Sequence, residues 1–174
     1  MLEINYLTIA NIIGWISVFF HIFAFASKDT KKMLWYNLIS TTLLGISMIP
    51  FGGFAGTIMV IFSIFSKIIG LSQKFKINDY VKAIFGLLLG IIYLIFFSKE
   101  GLVGMFPSLS LIFIVLADLQ TNIIKMKLWY YGSAFCWLIY AISIMSIPAI
   151  AYDIIGIIVL TMTILKLQKE QKKI

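Results

Sequence analysis

The sequence predicts an all-α integral membrane protein, with seven transmembrane helices in a 3+1+3 order forming one polytopic domain over 1–174. Three observations lead there. The chain is 61% hydrophobic and only 12% charged, with a mean hydropathy of +1.05; a soluble protein of this size has too much surface to carry so few charges. Its apolar runs are long enough to cross a bilayer. A segment also recurs: Lys31-Lys32-Met33-Leu34-Trp35-Tyr36 is echoed by Lys125-Met126-Lys127-Leu128-Trp129-Tyr130 at a constant offset of 94 residues. Between the two copies lies an unpaired stretch, so the chain reads as two parallel three-helix repeats, about 4–72 and 102–168, joined by a linker helix at about 80–98.

A span needs about 20 apolar residues at about 1.5 Å of rise each. Ile4 to Ser27 carries no charge with His21 neutral and gives the first span. Glu3 stands where a signal peptide would be basic, and the run is too long for one, so it reads as a retained helix. Met33 to Ser66 is 34 residues without a charge, too long for one span; Pro50-Phe51-Gly52-Gly53 divides it into a second span at Met33–Ile49 and a third at Phe54–Leu71. The fourth, Tyr80 to Ser98, is apolar on every face apart from Lys82. The fifth is Leu102–Leu119, the sixth Leu128–Ile147 closed by Pro148, and the seventh Ala149–Leu167, followed by the Lys169–Lys173 tail.

Charge predicts the orientation. The loops after spans one, three and five and the tail hold nearly all the lysines, while the loops after spans two and six hold none. By the positive-inside rule the N-terminus is outside and the C-terminus cytoplasmic, as an odd number of spans also requires. The linker helix restores to the second repeat the orientation of the first. Parallel repeats of this kind occur in secondary transporters, with the site near the bilayer midplane at their interface.

The net charge of +7 comes from lysine alone, placed mostly at the ends of apolar runs, where it serves topology and lipid headgroups. Without arginine, the usual reader of base edges, no nucleic-acid partner is expected; the partner is the lipid bilayer, and the composition is compatible with a homo-oligomer. The chain contains no His-Glu-x-x-His, Gly-x-Ser-x-Gly, cysteine pair or phosphate-binding glycine loop, so neither an enzyme nor a cofactor is expected. A lone His21 with no second ligand at metal spacing predicts no metal site.

Polar groups are costly in hydrocarbon and need a partner, a cavity or a way out. The second span carries Asn37, Ser40, Thr41 and Ser47 at i, i+3, i+4 and i+10, a stripe that either lines a pathway or bonds neighbouring helices. The first has Asn11, Gly14, Val18 and His21 on one face, and the sixth has Ser133, Trp137 and Tyr140, which form a substrate wall or pack plainly. Trp35, Trp129 and Tyr130 read as interfacial anchors, Lys67 and Lys166 as lysines reaching the cytoplasmic interface, and Asp118 as a partner of Lys125 or part of an inner gate. Asp153, one turn inside the seventh span, could bind a cation, couple transport to protons, or cap its helix.

With these residues placed, the chain resembles the YgjV-type bacterial inner-membrane proteins. The resemblance rests on Gly14–Lys32 leading into Leu43-Leu44-Gly45, on Gly52-Gly53-x-x-Gly56, and on Cys136-Trp137-Leu138-Ile139-Tyr140, with Asp153 where an acidic residue is expected. More remotely the 3+1+3 plan is similar to SWEET, PQ-loop and PnuC transporters, and Pro107 in Pro107-Ser108-Leu109-Ser110 resembles their helix-bending proline. The first span has no proline and the chain no Pro-Gln pair, which departs from that pattern. The expected function is a small-solute transporter or facilitator of a bacterial plasma (inner) membrane, taking a polar or cationic metabolite along Asn11, His21, Asn37, Ser40, Ser47, Pro107, Ser133, Trp137, Tyr140 and Asp153. The other class is a non-transporting receptor-like, assembly or regulatory subunit, in which the same polar groups only hold helices together.

Overall fold

The computed structural model describes residues 5–52, 54–71 and 102–171. Among them are six α-helices and no strand: α1 Tyr6–Ala26, α2 Thr30–Met48, α3 Phe54–Leu71, α4 Met105–Asp118, α5 Ile123–Ser143 and α6 Ile147–Gln171. The expected linker helix at about 80–98, with its flanking Lys74, Lys76, Asp79, Lys99 and Glu100, lies outside the described residues. Tyr6–Ala26, Thr30–Phe51 and Ile147–Gln171 are long and apolar enough to cross a membrane; Gly56–Leu71 and Leu102–Asp118 are apolar but shorter.

Local chemistry sets the helix starts. The Asn5 side chain accepts from the Leu7 N–H at 3.2 Å, Asp29 from Lys32 N–H at 2.7 Å, and Asn122 from Ile124 and Lys125 N–H at 2.9 and 3.1 Å, each serving donors that the first turn leaves without acceptors. The caps correct two boundaries. Helices α2 and α5 begin at Thr30 and Ile123 instead of Met33 and Leu128, because a capped backbone continues through lysines that a hydropathy limit excludes. Pro148 opens α6 instead of closing α5, a first-turn position where proline forfeits no hydrogen bond. Between α2 and α3 a single 3-10 turn, Ile49–Phe51, ends at Gly52 with φ +73°, a left-handed conformation that glycine adopts without Cβ strain.

Each helix packs chiefly against its chain neighbours, and α6 returns to α1, so the six form a closed ring in the order α1 to α6. The triplets α1–α3 and α4–α6 meet along two seams, α3 on α4 and α6 on α1. Close approach at the second seam needs Gly14: a Cβ there would stand 2.6 Å from the Pro148 Cβ. The polarity is inside out. Ser17, His21, Asn37, Ser40, Ser63, Lys67, Ser110, Asp118, Lys127 and Asp153 are buried, whereas Trp15, Phe19, Phe65, Phe135, Ile158 and Met162 are exposed. Water would oppose that arrangement, while hydrocarbon favours it.

Candidate functional site

Within the ring lies a cavity of about 40 Å³, room for a few water molecules. All six described helices line it. His21 and Phe25 come from α1, Asn37 and Thr41 from α2, and Ser63 and Lys67 from α3. Ile114 comes from α4, Tyr130, Ser133 and Trp137 from α5, and Tyr152 and Asp153 from α6.

The His21 ring stacks on Tyr152 with centroids 3.5 Å apart and tilts against Phe25 at 4.0 Å. It enters this space because α6 carries Gly156 opposite; a Cβ there would lie 2.5 Å from the imidazole Nε2. Among the described residues neither His21 ring nitrogen has a hydrogen-bond partner, and neither does the Asn37 amide nitrogen, all three atoms being buried. The Asn37 oxygen accepts from the Thr41 hydroxyl at 2.9 Å, so only its donor end is free. Native interiors leave few such groups unsatisfied, and three beside one cavity is an observation in need of a cause.

Two charged side chains line the cavity from helices that do not adjoin in the ring. Lys67 on α3 is 1% exposed; its ammonium donates to the Ser63 hydroxyl one turn back and sits 5.9 Å from the Tyr130 ring centroid. Asp153 on α6 is 3% exposed and accepts no hydrogen bond from any described residue. Behind Lys67, Asp118 accepts from the Ser66 hydroxyl at 2.8 Å and from the Tyr130 hydroxyl, which ties α3, α4 and α5 together. Lys127, fully buried, donates at 2.6 Å to the Phe25 carbonyl in the last turn of α1, a favourable place for a cation at the negative end of a helix. Among the described residues the only ion pair within 4 Å is Lys28–Glu170, half-exposed and outside this site.

Of the pathway residues expected from sequence, His21, Asn37, Ser133, Trp137 and Asp153 meet at the cavity. The others do not. Asn11 is half-buried away from it. Ser40 joins three helices, with its hydroxyl 3.0 Å from both the Ser17 carbonyl and the Tyr152 hydroxyl. Ser47 bonds the Leu44 carbonyl of its own helix at 2.7 Å. Tyr140 accepts from the Gly56 N–H at 3.1 Å and fills the α3–α5 contact. Pro107 is in the first turn of α4, where a missing N–H costs the helix no bond and bends nothing. The α2 stripe is therefore split: Asn37 and Thr41 face the cavity, Ser40 holds neighbouring helices, and Ser47 bonds back to its own helix.

Four assignments need correction. Lys67 is no interfacial anchor, because its face of α3 turns inward. Asp118 pairs with Ser66 and Tyr130, while Lys125 stays exposed. Tyr130 is buried at the cavity rather than at an interface. Asp153 is the seventh residue of α6, too far in to cap it. Sequence reasoning missed Ser63, Tyr152 and the inward role of Lys67. One signal was available: Ser63 and Lys67 stand at i and i+4 on one face of an otherwise apolar helix. Among the described residues no three His, Cys, Asp or Glu side chains converge as metal ligands, and Cys136 is a buried free thiol.

The bacterial inner membrane protein family Imp-YgjV matches residues 8–171, and the chain belongs to it. No curated protein and no solved structure was found to match.

Proposed function

We propose that this bacterial inner membrane protein is a small-solute transporter or facilitator, built as seven helices in a 3+1+3 order with the N-terminus outside and the C-terminus cytoplasmic. The observation that carries the reading is a cavity lined by all six described helices, between two triplets whose main seams are α3–α4 and α6–α1. Exchanging the triplets carries one seam onto the other, the contact pattern expected of parallel repeats around an axis along the membrane normal. His21, Asn37, Trp137 and Asp153 form the binding surface. The Ser66–Asp118 and Lys127–Phe25 contacts close the lysine-rich end, and the Tyr140–Gly56 contact closes the other. Rocking one triplet against the other would open these ends in turn. The reading involves no chemical conversion of the solute.

A non-transporting role has one observation in its favour: the Ser40 hydroxyl is spent on contacts between helices. Uptake into proteoliposomes separates the two. Saturable, time-dependent accumulation of a polar metabolite that Asp153→Asn abolishes is the expected outcome. A folded, reconstituted protein that moves none of a broad set of polar metabolites would refute transport. Cysteine labelling at positions 31 and 51 checks the orientation, with only position 51 reactive from outside.

A further inference from the structure

Resting on that binding site, we propose that its ligand is a small zwitterion, a molecule of a few heavy atoms carrying one ammonium and one carboxylate, of the α-amino-acid type. The cavity is lined by two unlike charged side chains. Lys67 stands on α3 and Asp153 on α6, helices that do not adjoin in the ring, and the two line one space without forming an ion pair. The same lining holds spare hydrogen-bonding capacity of both kinds. Among the described residues the Asn37 amide nitrogen is a donor without an acceptor, and a neutral His21 keeps one ring nitrogen as an acceptor without a donor. A carboxylate received by Lys67 and an ammonium received by Asp153, with Asn37 donating and His21 accepting, would satisfy all four groups together.

Charge balance favours a ligand of zero net charge. The buried lysines and carboxylates on the described helices are Lys67, Lys127, Asp118 and Asp153, basic and acidic groups in equal number. A net cation or anion would leave one charge uncompensated in a medium where that is costly, and a zwitterion would not. The volume sets the scale: about 40 Å³ admits a compact solute and excludes long side chains and sugars. The Trp137 and Tyr130 rings supply apolar wall in the same cavity.

The test measures binding to the detergent-purified full chain, by calorimetry at fixed ionic strength and at a pH where amino groups are protonated. The probes are glycine, its methyl ester, which keeps only the positive charge, and N-acetylglycine, which keeps only the negative one. Glycine should bind, and each blocked analogue should bind about tenfold to hundredfold more weakly, the worth of one lost charge-assisted contact. Asp153→Asn should weaken glycine and the ester but not the acetyl compound; Lys67→Met should weaken glycine and the acetyl compound but not the ester. Equal binding of the ester and glycine would overturn the proposal, and so would no binding of any probe by folded protein. The probe series on the unaltered chain decides the matter even if a variant fails to fold. Binding of glycine without flux in vesicles would sink the transport reading and leave this one standing. Flux of a solute with no preference for zwitterions would do the reverse.

Discussion

Replacing Gly156 with alanine tests whether the His21 ring is wedged in place, as the geometry requires. The new methyl would lie 2.5 Å from His21 Nε2, 3.1 Å from its Cδ2 and 3.2 Å from Phe25 Cε2. The ring has little freedom to retreat, with Tyr152 stacked at 3.5 Å and Phe25 at 4.0 Å. Overpacking of this kind costs about 1–3 kcal/mol. Alanine is about 1 kcal/mol better than glycine inside a helix, so the net loss expected is about 0–2 kcal/mol. In a His21→Ala background the two closest contacts are gone, and the helix preference stands against only the 3.2 Å approach to Phe25 Cε2. There the same change should stabilise by about 0.5–1 kcal/mol. The coupling between the two sites is then about 1–3 kcal/mol, well above the scatter for independent positions. Equilibrium unfolding of the four proteins in mixed micelles measures it. An equal cost of Gly156→Ala in both backgrounds would refute the wedge.

Three other substitutions probe the contacts around the cavity. Ser40→Ala removes the hydroxyl between Ser17 and Tyr152 and should cost about 1 kcal/mol in the same unfolding assay, the usual worth of a polar contact between membrane helices. Lys127→Met strips the cation from the Phe25 carbonyl and should lose about 1–3 kcal/mol. Lys125→Met, two residues away and exposed, should stay within about 0.5 kcal/mol of the parent. Met145 holds φ 54° in the turn between α5 and α6 while 81% exposed. Met145→Gly should therefore raise stability by about 0.5–1 kcal/mol, because the left-handed conformation strains a side chain and glycine carries none.

Sequence reading placed the helices better than their faces. The matched Leu-Trp-Tyr copies show why: Tyr36 is 38% exposed and Tyr130 is 3% exposed, although each follows Leu-Trp within the first turns of its helix. The difference lies in what stands opposite, Asp118 for Tyr130 and no buried carboxylate for Tyr36. The α2 stripe was legible as a polar face, because four polar residues at helical spacing on an apolar background mark one side. How it divides between cavity and glue was not, since that turns on whether Tyr152 reaches Ser40.

By itself the sequence determined the class of the protein: hydropathy and run length demand helices in a bilayer, and proline, glycine and asparagine positions set where those helices turn and start. These are local properties, fixed by a residue and its chain neighbours. The tertiary structure alone decided which face of each helix turns inward. On helices that are apolar all round, composition carries too little asymmetry to choose a side. Lys67, Asp118 and Tyr130 are buried because each finds a partner on another helix, Lys67 at the Tyr130 ring, Asp118 at Ser66 and Tyr130 at Asp118. A charge inside a membrane protein is stable only where such partners converge, and that convergence is also what makes the cavity.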